Sequence, residues 1–334
     1  MGFTRVSNET AIVAIGRNEG NRLKICLRSL PIGAYRVYVD SGSTDESVSF
    51  ARGLGVSVVV LPTGTRFTAA LARNSGIAII EQLAPDVRYI NTIDGDCELD
   101  PNWIESGIAA LEAAPDVGVV FGRNRERFPR ASVYNRLCDD EWNVAIGEAK
   151  ACGGNALYRR AALSQVGAFD PSLIAGEEPD LCLRLRASGW RVFRIDAEMT
   201  RHDAAIYHLR QWWRRMERGG YAFAELSSRH GERGDPDWRR QVRSIITWGL
   251  SLPALLIFLS VAIDWRFCVM GATLWPVQIA KIALRKRRSG HDPAFALTIS
   301  FFLMFGKFAQ ANGVLKYYLG RGGKGQSPLI EYKM

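Results

Sequence analysis

"INTIDGDCELD", residues 90–100, runs an apolar stretch into two acids, Asp94 and Asp96, separated only by Gly95. The preceding "VRYINTID" reads as a buried strand, so the acid pair falls at a strand end. Two carboxylates held this close raise each other's pKa unless a cation neutralises them. Hard divalent ions such as Mg²⁺ or Mn²⁺ take oxygen ligands and fill their shell from substrate phosphates. The pair therefore points to a nucleotide diphosphate. A calcium loop is the alternative, but the spacing does not continue as an EF-hand requires.

Upstream, the same alternation repeats. "TAIVAIG" is a strand followed by a helix over 20–30, "YRVYVDSGS" a strand and loop followed by a helix over 45–54, and "VSVVVLP" a third strand. "FTAALARNSGIAIIEQLA" is a long helix leading into the fourth strand. Strands alternating with helices predict a mostly parallel sheet covered on both faces. Ligands gather beyond the carboxyl ends of such strands. Three polar loops stand there: "GRNEG" at 16–20, "DSGSTD" at 40–45 and "DGDCELD" at 94–100. Each alone is an ordinary turn; three on one sheet edge suggest a shared site.

In order and spacing, "VAIGRNEG", "VDSGSTD", "ARNSGI" (72–77), "IDGDCELDPNWI" (93–104), "GGNALYRRAAL" (153–163) and "GEEPDLCLRLRASGW" (176–190) resemble an inverting, family 2 glycosyltransferase of the GT-A fold, of the membrane-anchored bacterial type. The likeness covers residues ~10 to ~215 and is carried by the set of motifs rather than by any one. It implies a nucleotide-diphospho-sugar transferase fold: an α/β, Rossmann-like, mixed but mostly parallel sheet with helices on both faces. It also implies roles. Asp40, with the backbone near Arg17 and Glu19, would hold the base and ribose, and Arg73 would sit near the diphosphate. Asp96 would ligate Mg²⁺ or Mn²⁺, with Asp94 close to the ribose or metal. Glu178 would be the general base, in a place where the family usually has Asp, with Asp180 as a possible participant. Ser41 stands where the family pattern has a second Asp. His202 is the candidate to complete the metal shell. Helix capping equally explains Glu177 and Asp180. "QWWRR" at 211–215 is similar to the QxxRW motif of processive membrane enzymes without matching its last two positions. Trp212 or Trp213 could there offer an apolar face to an acceptor sugar, or lie at headgroup level.

The charge is lopsided. Residues 1–200 hold 22 Lys and Arg against 25 Asp and Glu, and the remainder 21 against 9. Apolar runs lie among those basic residues, which fits a bilayer rather than nucleic acid. "IITWGLSLPALLIFLSVAI" (245–263) and "FCVMGATLWPVQIAKIAL" (267–284) predict a helical hairpin. Arg239, Arg240, Arg243 and "RKRR" at 285–288 put its outer ends on the cytoplasmic side. Pro253 and Pro276 would kink it. A third apolar segment, 294–319, is interrupted by Lys307 and Lys316 and either spans or lies in the interface. The expected division is a catalytic domain over 1–240, membrane helices over 241–319 and a loose tail from 320. No secretory signal is visible, and the six scattered cysteines form no CxxC pair and no zinc pattern, which suggests reduced thiols and a cytosolic catalytic side.

The expected activity is metal-dependent transfer of a sugar from a nucleotide-sugar donor to a lipid-linked or envelope-polysaccharide acceptor at the cytoplasmic membrane. A nucleotidyltransferase would need more glycines after the first strand than "GRNEG" has. A non-catalytic scaffold would not need the intact acids. Arg123, Arg125, Arg127 and Arg130 could meet an anionic acceptor, or simply be solvated.

Overall fold

The computed structural model of the chain describes residues 8–321 apart from Thr63, Thr65 and Arg66; residues 322–334 of the expected tail lie outside it. The described residues up to Tyr207 form one compact unit and those from His208 a second.

The first unit is built on one sheet. Its strands are β1 (Thr10–Gly16), β2 (Tyr35–Asp40), β3 (Ser57–Val60), β4 (Tyr89–Asp94), β5 (Cys97–Leu99), β6 (Val117–Glu126), β7 (Gly147–Glu148), β8 (Ala156–Arg159) and β9 (Arg191–His202). The order is β3-β2-β1-β4-β8-β6-β9-β5, with β7 paired to β9. From β3 to β4 every pairing is parallel, as the alternation of elements predicts. Beyond β4 the sheet is mixed. β8 runs antiparallel to both β4 and β6, β6 and β9 run parallel, and β5 returns antiparallel on β9.

Helices α1 (Asn21–Ser29), α2 (Ser47–Gly53), α3 (Ala69–Leu83), α4 (Trp103–Ala113), α5 (Val133–Glu141), α6 (Arg160–Val166) and α7 (Glu177–Ala187) complete this unit. Residues Ala11 to Ala14 of β1 are fully buried, so this strand shows no polar alternation; both its faces are covered. Gly76 of α3 lets the helix sit directly on β1, since a Cβ there would lie 2.4 Å from Val13. Asn91 is polar in a buried strand, but the indole N–H of Trp103 donates to it at 2.8 Å. That bond removes the penalty of burying the amide.

The second unit is helical: α8 (Leu209–His230), α9 (Pro236–Ile246), a π-helical turn (Thr247–Ser251), α10 (Leu252–Ala262), α11 (Arg266–Ala272), α12 (Leu274–Arg288) and α13 (Pro293–Arg321). The boundary expected at 240 lies inside it, because α8 packs along α13. Gly220 and Gly313 make this close: a Cβ on either would meet the facing backbone at 2.1 Å or less. Among the described residues, three helical stretches are long and apolar enough to cross a membrane: Pro236–Ala262, Arg266–Arg288 and Pro293–Gly320. The first two form the expected hairpin segments, and the third is one continuous helix. Pro253 has no N–H for the carbonyl of Gly249, and the backbone widens into the π-helical turn there. Pro276 likewise has no N–H for the carbonyl of Ala272, and the helix breaks between α11 and α12.

Candidate active site

Arg73 lies at the centre of three acids. It is 2% exposed, and its guanidinium reaches three carboxylates: Asp94 at 3.0 Å, Glu177 at 3.1 Å and Glu178 at 2.8 Å. The partners arrive from two distant parts of the chain. Asp94 ends β4. Glu177 and Glu178 begin α7, after Gly176 has turned the chain through a left-handed φ of 87°. A side chain disfavours that conformation, which explains the glycine ahead of the acids. Arg73 itself is held by α3. Its neighbour Asn74 bonds the backbone of Phe169 in both directions, at 2.7 and 3.1 Å, and the Phe169 ring lies 5.4 Å from the Arg73 guanidinium. Gly154 closes the other side: a Cβ there would fall 2.4 Å from Nη2 of Arg73 and 2.7 Å from Oδ2 of Asp94.

Electrostatics follow from this packing. Burial opposes the charge on Arg73, yet Glu178, Asp94 and Glu177 together raise its pKa above the ordinary arginine value. Burial and the neighbouring Glu177 push the Glu178 carboxyl up to about 7, against the pull of Arg73. A carboxyl poised there can hold or release a proton near neutrality.

The second acid of the pair serves a different cluster. Asp96 is 3% exposed, and its Oδ2 lies 3.0 Å from Nε2 of His202 at the end of β9. The antiparallel register sets Cys97 directly opposite His202. One ligand atom each from Asp96, Cys97 and His202 lie within 4.8 Å of one another. Carboxylate, imidazole and thiol at this separation fit a divalent cation. Burial and the charge of Asp94 push the Cys97 thiol up. Trp142 stacks flat on the His202 ring, with centroids 4.5 Å apart and planes 12° apart. Asn155 ties the two clusters together. Its Oδ1 accepts from the Asp94 backbone N–H at 2.9 Å, while its Nδ2 donates to the Cys97 sulfur at 3.2 Å. Trp142 carries no motif in the sequence, and Cys97 and Asn155, although they lie inside quoted motifs, take no role from them; the register of β5 on β9 is what sets Cys97 opposite His202.

The loops after β1 and β2 are laced to each other. The Asn18 N–H donates to Ser43 Oγ at 2.9 Å, Thr44 N–H to Asn18 Oδ1 at 2.7 Å, and Gly20 N–H to Asp45 Oδ2 at 3.1 Å. The expected contact of Asp40 with base and ribose is corrected here. Asp40 is 1% exposed, and its carboxylate accepts from Gly42 N–H, Ser43 N–H and the Tyr38 hydroxyl, at 2.8 to 3.0 Å. It shapes the loop. Arg17 is exposed, over the Phe67 ring. Glu19 pairs with Arg22 at 2.7 Å and lies alongside Gly95.

Two further expectations change. Asp180 does not join Glu178: it is 3% exposed and bound to Arg184 one turn on, at 2.8 Å. Arg184 continues to the carbonyls of Val166 and Ala168, so the pair pins α7 to the end of α6. In the helical unit, Trp212 is buried in the aromatic packing of α8 on α13. It stacks on Phe305 and meets Phe302 edge-on, while Trp213 meets Phe305 edge-on. Trp212 therefore presents no open face to a sugar. Three of the four arginines of the run are held by acids: Arg123 binds Asp139, Arg125 binds Glu198 and Arg127 binds Glu98, while Arg130 is exposed.

Comparison with known proteins bears on the same residues. Residues 12–167 match the family model described as Glycosyl transferase family 2. The Pre-mycofactocin glycosyltransferase of Mycobacterium tuberculosis is 28% identical over 240 residues, covering 68% of this chain and 49% of that protein. The chain thus spans about half the length of that relative. The succinoglycan biosynthesis protein ExoA of Rhizobium meliloti is 26% identical over 207 residues, covering 57% and 62% respectively. Among solved structures, the mannosyltransferase PcManGT of Pyrobaculum calidifontis, in complex with GDP-Man and Mn²⁺, matches with a TM-score of 0.60 at 19% identity, over 93% of this chain and 88% of that one. TarS 1–349 of S. aureus matches with a TM-score of 0.51 at 13% identity, over 89% and 92%.

Proposed function

Given that the chain carries a glycosyl transferase family 2 domain on a GT-A fold, we propose that it transfers a sugar from a nucleotide-sugar donor to an acceptor hydroxyl, with inversion, in a metal-dependent reaction. One observation carries this reading: Arg73 joins Asp94 of the Asp-Gly-Asp turn to Glu178 at the start of α7. The first acid of the turn and the candidate base therefore meet at one buried guanidinium.

In this reading Glu178 takes the proton of the acceptor hydroxyl as its oxygen attacks the anomeric carbon and the bond to the nucleoside diphosphate breaks. One displacement of this kind inverts the configuration. Glu178 is placed for it by the left-handed Gly176 and by Arg73, which orients the carboxylate and balances Glu177. Asp94 holds the opposite side of Arg73, near the donor. Asp96 and His202 would hold the divalent cation, Mg²⁺ or Mn²⁺, which when bound stabilises charge on the leaving diphosphate. The Mn²⁺ and GDP-Man of the archaeal mannosyltransferase are consistent with that assignment.

The three long apolar stretches, the first two largely unburied, suit a chain anchored in a membrane. Their basic ends, Arg239, Arg240 and Arg243 before and Arg285 to Arg288 after, favour a cytoplasmic catalytic side. An acceptor at that surface would be lipid-linked or an envelope polysaccharide. A screen of nucleotide sugars with Mn²⁺ tests the reading. Asp96→Ala should lose donor binding, whereas Glu178→Gln should keep donor binding and lose transfer. Normal turnover by both variants would overturn it.

A further inference from the structure

Building on the cation-binding role proposed above for Asp96 and His202, we infer that Cys97 is a third protein ligand of the same ion, making the site a mixed carboxylate–thiolate–imidazole centre. Such a centre binds Co²⁺, Zn²⁺ or Cd²⁺ more tightly than Mg²⁺.

The strand register and the side-chain geometry both place the sulfur there. The β5–β9 register puts Cys97 opposite His202, so the two side chains share a face of the sheet. Sγ of Cys97 lies 3.5 Å from Oδ1 of Asp96, whose other oxygen, Oδ2, lies 3.0 Å from His202 Nε2. All three ligand atoms fall within 4.8 Å. Ligands at about 2.0–2.3 Å from a tetrahedral ion lie about 3.5 Å from one another, so small side-chain rotations complete the site. Asn155 adds direction. Its amide N–H₂ donates to Cys97 Sγ at 3.2 Å and to Thr200 Oγ1 at 3.4 Å. A donor aimed at the sulfur treats it as an acceptor, the character a bound thiolate needs.

The chemistry sets the preference. A buried cysteine of no function behaves as a small apolar residue. This one, 1% exposed, stands between a carboxylate and an imidazole. Thiolate ligands favour the softer and later divalent ions, whereas Mg²⁺ demands oxygen and keeps its water. As the ion binds, the thiol proton leaves to solvent and the sulfur lone pair takes up the vacated direction. The donor set therefore tilts the site away from Mg²⁺ without excluding Mn²⁺.

The test uses the full-length chain in detergent, titrated with Co²⁺ and followed by absorption. A sulfur ligand gives an intense near-ultraviolet charge-transfer band beside the weaker visible bands. We expect both in the unaltered chain, and only the visible bands in the near-isosteric Cys97→Ser. Competition against Mg²⁺ should show the Cd²⁺ preference falling by about tenfold or more in Cys97→Ser. Visible Co²⁺ bands that vanish in Asp96→Asn, with no charge-transfer band in the unaltered chain, would overturn the sulfur ligand and leave the cation site standing. Co²⁺ binding indifferent to Asp96→Asn would overturn the cation site itself, and the sulfur ligand with it.

Discussion

Nη1 of Arg73 lies 2.8 Å from the carboxylate of Glu178. A candidate base is thus held by a buried cation that also holds Asp94 and Glu177. Removing Arg73 leaves three acids facing one another. Stripping one partner from a buried ion pair costs about 3–5 kcal/mol, so Arg73→Ala should lower the unfolding midpoint measurably in a thermal melt. Arg73→Lys should rescue little, because a single ammonium cannot bridge three carboxylates as a planar guanidinium does.

Glu178 and Asp180 separate by experiment. Glu178→Gln should cut kcat by about 10²–10⁴-fold while donor affinity stays unchanged. Asp180→Asn should leave kcat near its original value and lower stability by about 1–3 kcal/mol, through loss of the Arg184 bond. Donor titration, turnover and melting of both variants check the pair of expectations.

The raised carboxyl gives a pH signature. With Glu178 at about 7, kcat/KM should rise as pH climbs through that value, since the base works deprotonated. Stability runs the other way. Its folded pKa lies above the unperturbed 4.5, so the stabilisation it contributes is complete below 4.5 and is lost as pH rises through about 7. Glu177→Gln removes a like charge and should move the activity limb to lower pH, read from pH–rate profiles.

Gly154 offers a steric test with a built-in control. Gly154→Ala places a methyl against Arg73 and Asp94, and overpacking of this kind costs about 1–3 kcal/mol. Donor KM should rise and the melting temperature fall. Gly153→Ala, with nothing within 4 Å of its added carbon, should change neither.

The parallel half of the sheet was legible because each buried strand is a short apolar run followed by an amphipathic helix. The mixed half was not. β9, "RVFRIDAEMTRH", alternates arginines and acids with apolar residues, and only its partners β6, β5 and β7 define it as a strand. Among site residues, the Asp-Gly-Asp turn and the Glu-Glu pair announced themselves by position at element ends. Asp180 misled because it shares that helix start, although its spacing to Arg184 already carried the i,i+4 explanation. Asp40 misled because a short acid after a strand can as well bond its own turn. Cys97 and Trp142 depend on contacts across 105 and 60 residues, which no local pattern encodes. The unit boundary at Tyr207 escaped for a similar reason: α8 is polar enough to pass for a surface helix until α13 covers it.

The three bonds lacing Asn18 to Ser43 and Thr44, and Gly20 to Asp45, have a thermodynamic corollary. Backbone that is already fixed loses little further freedom when something lodges against it. On the proposed reading, recognition at this rim would be rigid: a donor of the right outline would dock without rearranging these loops, and one of the wrong outline would find no slack to exploit.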